Sequence, residues 1–231
     1  MENRFVDGEI LLIDKPYTWT SFNVVKKIEI SLRKKFNLKK IKVGHAGTLD
    51  PLATGLLVIC TGRKTKEIEK LQSSEKEYVA TIEFGKTTPS YDLETEFNGA
   101  FPTQHITIEL IKNILKNFLG EIDQVPPLYS AKFIDGHRAY KFARRGEDIK
   151  MNPNKVFIKE IEIIDFNNPQ LVLRVVCGKG TYIRSLAYDI GVALKSGAYL
   201  KALKRTISGN YNIKDAISVE EFQENLLSLQ P

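Results

Sequence analysis

Residues 43–66 read VGHAGTLDPLATGLLVICTGRKTK, and the reading of this stretch decides the fold. Its middle, Leu56-Leu57-Val58-Ile59-Cys60, is too apolar for any place but the interior and predicts a buried strand. The segment before it, Gly44-His-Ala-Gly-Thr-Leu-Asp-Pro51, is a polar loop hinged on glycine, so Asp50 sits on a loop with a rigid floor. Pro51 sets its own φ and biases Asp50 away from the helical region, while Gly44, Gly47 and Gly55 allow turns or close ligand approach that a Cβ would block. Aspartate before proline is also a common turn starter, and spacing alone leaves Asp50 in that role.

Working outward, Glu9 to Ile13 predicts a strand stopped at Asp14-Lys15-Pro16. Thr20 or Ser21 then caps a helix whose apolar stripe is Phe22, Val25, Ile28 and Leu32. Its other face carries Lys26, Lys27, Arg33, Lys34 and Lys35, and a solvated helix face accounts for most of these charges. Beyond the opening stretch, Thr65 to Leu71 predicts a short helix and Lys76 to Phe84 an alternating strand with Tyr78, Ala80, Ile82 and Phe84 on one side. Ile106 to Phe118 predicts an amphipathic helix. Lys155 to Phe166 and Gln170 to Cys177 predict two strands joined at Asn167-Asn168-Pro169, followed by a helix through Leu186, Ile190 and Leu194. Tyr199 to Ser208 predicts a strand or loop with a basic edge, Lys201, Lys204 and Arg205, and a capped helix starts at Ser218.

Between these elements, residues 122–153 are irregular. Val125-Pro-Pro-Leu-Tyr-Ser-Ala131 is stiff and extended, and Gly136 to Gly146 interleaves cations with aromatics, a pattern suited to gripping phosphates and stacking on bases. A buried helix face explains Tyr140 and Phe142 equally well.

The 231 residues suffice for a proper core, with 42% hydrophobic and 27% charged residues. Lys plus Arg at 34 against Asp plus Glu at 28 gives a net charge of +6, which suits a polyanionic partner without demanding one. Cys60 and Cys177 lie in apolar runs and predict buried, reduced thiols; no cluster has metal-ligand spacing. No signal peptide and no stretch of membrane-spanning length is evident, so a cytoplasmic protein is expected. Gly178-Lys-Gly-Thr lacks the spacing of a phosphate-binding loop and argues against a nucleotide triphosphatase.

The string GHAGTLDPLATGLLVICTGRKTK, with its trailing Gly62, Thr65 and Lys66, closely resembles the catalytic motif of the TruB family of tRNA pseudouridine synthases. The resemblance extends over nearly the whole chain, through Leu12-Ile-Asp-Lys-Pro16, Lys76-Glu-Tyr78, Val125 to Ala131 and Gly180-Thr-Tyr-Ile-Arg-Ser185. It implies an α+β pseudouridine-synthase fold, a mixed, mostly antiparallel sheet with flanking helices and a central active-site cleft. It implies a single catalytic domain spanning the chain, with an RNA-gripping insertion at about 122–153. The family's common C-terminal PUA-type domain is not expected, since only a short tail follows Gly209.

By the same resemblance the reaction is isomerisation of uridine to pseudouridine at position 55 in the T-loop of tRNA, with no cofactor, no metal and no obligatory protein partner. Asp50 is the implied catalytic aspartate, Tyr78 stacks on the flipped base, and Arg184 pairs with the aspartate. Tyr182 lines the pocket and His45 touches the RNA beside the flipped nucleotide. Gly44, Thr48, Leu49, Lys15, Lys66, Asp92, Tyr129 and Arg138 complete the implied RNA-facing set. If the segment is extended, Tyr182 and Arg184 share a face. The family's Tyr-Ser-Ala-x-Lys reads Tyr-Ser-Ala-Lys-Phe here, which shifts Lys132 by one. Two rivals are a tRNA-folding chaperone without activity, against which Asp50, Tyr78 and Arg184 all argue, and a hydrolase, for which a second acid or metal cluster is lacking.

Overall fold

In the computed structural model the described residues are 4–130, 132–134, 136–147, 149 and 151–229, so Ala131 of the extended motif lies outside them. Along the chain the elements begin with Arg4–Asp7 (α1), Ile10–Lys15 (β1), Ser21–Lys35 (α2), Val43–His45 (β2), Ala53–Thr61 (β3), Ile68–Ser73 (α3) and Lys76–Phe84 (β4). The short strands Lys86–Thr87 (β5) and Gly99–Ala100 (β6) precede Ile108–Leu115 (α4) and Gly120–Gln124 (β7). Phe133–Ile134 (β8), His137–Arg138 (β9) and Ala139–Ala143 (α5) follow, then Asn154–Asn167 (β10), Gln170–Cys177 (β11) and Ile183–Ala193 (α6). Ala198–Ser208 (β12), Tyr211–Asn212 (β13) and Val219–Ser228 (α7) close the chain.

The chain forms two compact units: one runs to Tyr78 and resumes at Lys204, and the other is Val79–Leu203. In the first, β3 is the organising strand. All its residues but Thr54 are buried, as its apolar run requires, and it pairs antiparallel with β1 from Ile10↔Cys60 to Lys15↔Gly55. The same strand pairs with β2, His45 opposite Ile59. Ala46, Leu56 and Val58 form a core cluster under Ile10, Leu12, Leu71 and Tyr211. Lys76 is buried because its ammonium donates to the carbonyls of Leu71, Gln72 and Ser74, closing the end of α3.

Helix α2 starts where its sequence predicts: the Thr20 side chain accepts from the Asn23 N–H, and the Asn23 side chain accepts in return. Its buried face is Ser21, Val24, Ile28 and Leu32, one position away from the expected stripe at its start, and Phe22 is 68% exposed. Ser21 goes inside because its hydroxyl has backbone partners there.

In the second unit the strand order is β12-β4-β11-β10-β7, with β10 antiparallel to both β11 and β7. Strand β4 alternates as its sequence predicts, burying Ala80, Ile82 and Phe84, and α4 is shorter than the predicted 106–118 helix, with Ile111 and Leu115 inside. Cys60 and Cys177 are both free and buried. No described helix is long and apolar enough to cross a membrane.

Candidate active site

Asp50 lies on the loop that joins β2 to β3, and polar side chains of the first unit hold this loop almost residue by residue. The buried Ser21 hydroxyl donates to the Leu49 carbonyl at 2.9 Å and accepts from the Leu49 N–H at 2.8 Å, so both backbone groups of the residue before Asp50 are occupied. The Asp50 carbonyl accepts from Ala53 N–H at 3.1 Å, closing the turn through Pro51. On the other side the fully buried Lys15 ammonium donates to Pro51 O at 3.2 Å, to Pro16 O at 2.9 Å and to Trp19 O.

Burial pulls the Lys15 pKa down to about 8, against the opposing pull of Asp50 and Asp14. Lys15 and Leu49 were both expected to face RNA. The ammonium is spent on three carbonyls and the Leu49 side chain is 3% exposed, so both hold the loop from inside. Thr48, just before Leu49, is exposed, as is Lys66.

Arg205 was expected on a basic edge of β12. It is instead 1% exposed: its Nε donates to Leu56 O at 2.7 Å and a terminal nitrogen donates to Gly47 O at 3.1 Å. Lys201 and Lys204 remain exposed. The backbone of Arg205 passes so close to Gly55 that a Cβ there would stand 2.3 Å from its carbonyl oxygen. Arg205 and Ser21 are the residues that sequence reasoning missed, since their partners are backbone carbonyls distant in the chain.

His45 precedes the loop on β2. Burial, then the neighbouring Arg205 cation, hold its pKa below the ordinary histidine value, partly offset by the Gly47 backbone, so the ring is neutral near pH 7. Its Nδ1 is buried without a hydrogen-bond partner among the described residues. Gly44 beside it packs under Ile68, whose side chain would meet a Cβ at 2.7 Å. Tyr78 is half-buried on β4, next to Glu77, which Thr206 engages through its hydroxyl.

In the second unit Arg184 gathers another group. The guanidinium is 3% exposed; it donates to Ser90 O at 3.1 Å and to Tyr129 O at 3.0 Å and lies 3.6 Å from the Asp92 carboxylate, itself buried. Asp92 and Tyr129, both expected to face RNA, thus meet at Arg184, Tyr129 through its backbone. Tyr91 between Ser90 and Asp92 adopts φ 63° and stacks on Tyr188 at 4.1 Å, fixing the turn that supplies these partners.

The extended segment expected at Tyr182 ends there, because Tyr182 is the N-cap of α6 and Arg184 is already helical. The two side chains therefore do not share a strand face. Tyr182 is held through its backbone by Gln124, which donates to its carbonyl at 3.1 Å and accepts from its N–H at 2.8 Å. Ser185 donates to Val125 O at 2.7 Å, tying the start of the Val125–Ser130 stretch to the same helix; the stretch bends at Leu128–Ser130, where the Ser130 N–H donates to Leu128 O at 2.9 Å, and is not extended throughout as expected. Arg138 is exposed on β9, over the Phe133 ring at 4.7 Å. The shifted Lys132 donates to Asn154 Oδ1 at 2.8 Å. Among the described residues no cluster of three His, Cys, Asp or Glu side chains could hold a metal ion.

Residues 33–183 match the family model of the TruB family pseudouridylate synthase N-terminal domain, and residues 184–230 match that of the tRNA pseudouridylate synthase B C-terminal domain. The chain is thereby placed among the pseudouridylate synthases. Within that class it belongs to the TruB family. It is 54% identical over 221 residues to tRNA pseudouridine synthase B of Phocaeicola vulgatus, covering 96% of this chain and 94% of the relative. Over 224 residues it is 54% identical to the protein of the same name from Flavobacterium johnsoniae, covering 96% and 98%.

Among solved structures, a chain of a Cbf5-Nop10-Gar1 complex superposes with a TM-score of 0.72 at 29% identity. That match covers 96% of this chain and 55% of the other, so this chain spans little more than half the length of that neighbour. A chain of an H/ACA RNP bound to a substrate RNA containing 2'-deoxyuridine superposes with a TM-score of 0.69 at 26% identity. The α+β pseudouridine-synthase fold expected from the sequence is thus the fold observed.

Proposed function

We propose that this chain converts uridine to pseudouridine at position 55 in the T-loop of tRNA, with Asp50 as the catalytic carboxylate. The observation that carries the reading is the Asp50 loop itself: a family-matched segment in which the residues on both sides of the aspartate are held by buried polar groups. Relatives at 54% identity bear the name tRNA pseudouridine synthase B, which supplies the substrate class.

In this isomerisation the N1–C1′ bond of uridine breaks, the uracil turns, and a C5–C1′ bond forms. The C5 proton leaves to solvent and N1 gains one, so nothing is oxidised and no group is added. Asp50 serves either as a nucleophile toward base or sugar or as the counter-charge to a cationic sugar. The uridine must first leave its stack, at a cost of a few kcal/mol. Tyr78 offsets part of this by stacking, which contributes roughly 1–3 kcal/mol per base. A neutral His45 presents a flat ring to the neighbouring nucleotides without a charge to desolvate. Arg184 keeps the role the resemblance implies, counter-cation to the catalytic aspartate, and its guanidinium is oriented by Ser90 O, Tyr129 O and Asp92. Exposed Arg138, with Lys66 and Thr48, meets the RNA backbone of the T-arm. Such a protein works where tRNA is, in the cytoplasm.

The test is release of tritium from a T-arm stem-loop labelled at C5 of its uridines. Stoichiometric release by the unmutated protein supports the proposal; tight binding without release would favour an RNA-folding chaperone.

A further inference from the structure

The loop between Gly47 and Leu56 is a nine-residue step along the chain whose two feet converge on one side chain. Arg205 donates to the carbonyl of the first residue and to the carbonyl of the last, at 3.1 and 2.7 Å. We propose that Arg205 is a positioning residue for the uridine-to-pseudouridine step, setting the place of Asp50 by clamping both ends of its loop.

Four observations converge on this reading, which rests on the function proposed above. The guanidinium is 1% exposed, and an arginine this deeply buried is retained only where its donors are matched. A planar fork with divergent N–H groups sets the direction as well as the distance of both carbonyls it serves; a lysine ammonium is a point charge with rotatable donors and lacks that directional geometry. Glycine stands at one foot, Gly47, and beside the other, at Gly55, where the arginine comes close. At Gly55, φ is +100° and a Cβ would meet the Arg205 backbone at 2.3 Å; at Gly47, φ is +117° and a Cβ would meet the guanidinium at 3.4 Å. Finally, Ser21 at Leu49 and Lys15 at Pro51 fix residues beside Asp50, and the backbone ladder between the two arms reaches as far as Ala46 N–H to Val58 O at 2.8 Å. Arg205 carries the tie between the arms beyond that ladder, toward Asp50.

A misplacement of the reacting group by about 1 Å can cost on the order of 100-fold in rate. The experiment compares full-length protein with Arg205→Lys in single-turnover tritium release, RNA affinity, thermal stability, and amide hydrogen exchange across residues 47–56. The expected result is a rate per folded molecule lower by about 100-fold, RNA affinity within about threefold, and faster exchange confined to the loop. Gly47→Ala is the second variant should Arg205→Lys fail to fold, since it leaves the arginine in place and strains the φ of +117° that presents the Gly47 carbonyl to it.

A rate per folded molecule within about threefold of the unmutated protein in a folded variant would overturn the proposal, because a purely structural role moves only the fraction folded. So would a loss of rate with loop exchange unchanged. Absence of turnover in the unmutated protein would instead sink the proposed function, and the exchange measurement would still judge the clamp, with unchanged loop exchange counting against it.

Discussion

The Asp50 loop and the 133–145 segment are both polar and rich in signals for RNA chemistry, yet they are built on opposite principles. Around Asp50, the charged and hydroxyl side chains of Lys15, Ser21 and Arg205 point inward and end on backbone carbonyls. From 133 to 145, the cations stay outside. Arg138 lies over Phe133, Arg144 over Tyr140 at 5.3 Å and Arg145 over Phe142 at 4.9 Å, while β8 pairs with β9 in a two-stranded ribbon of its own. A carboxylate that must meet one bond needs a fixed frame, whereas cations that meet a polyanion need access and a ring to lean on. The same residue types serve both ends; burial decides which.

The largest test of this contrast is Asp50→Asn. It keeps the shape of the loop and removes the charge, so conversion should fall by at least about 10³-fold while RNA affinity stays within about threefold. Tritium release and filter binding on the same samples check it; a parallel loss of binding would break the contrast.

Next in size is pH. Below pH 8 Lys15 holds a proton in both folded and unfolded chains. Between its folded value of about 8 and its ordinary 10.5 the folded chain holds fewer protons than the unfolded one. Its contribution to stability therefore rises with pH across that window, as the cost of burying an ammonium is relieved. The rate should move the other way: a neutral amine has two N–H donors for three carbonyls, so turnover should drop by about tenfold by pH 9. RNA affinity, carried by exposed side chains away from Lys15, should stay flat. A flat rate from pH 7 to 9 would show that the Lys15 charge does not matter to the loop.

The smallest expected effect is Arg138→Ala. It should weaken RNA binding a few-fold, lower the salt dependence of log affinity by about one unit of slope, and leave the single-turnover rate at saturating RNA unchanged. A change in that rate would place Arg138 on the Asp50 side of the comparison.

Much of the fold was legible because apolar runs are unambiguous: β3, β4, β10 and β11 lie where their patterns predict. The errors came from side chains whose place is set by partners far away in the chain. Hydrophobicity puts Phe22 in the core and Ser21 at a cap, but the serine is the one with a buried backbone pair to satisfy. Arg205 looked like an edge cation beside Lys201 and Lys204 until the carbonyls of a loop some 150 residues earlier gave it a reason to be inside. Tyr182 and Arg184 would share a face only in an extended segment, and the helix start at Ile183 separates their directions. The roles proposed for Asp50, Tyr78 and Arg184 rest on motif resemblance; no propensity rule singles out one aspartate before a proline.

Gly55 has a lesson for protein engineering. Because it lies flush against the backbone of Arg205, the segment from 47 to 56 has a set contour as well as a set shape. Grafting the loop of a homologue one residue longer or shorter would misalign its return into β3 before any side chain was chosen, so variants of this enzyme are best sought by substitution, leaving chain length untouched.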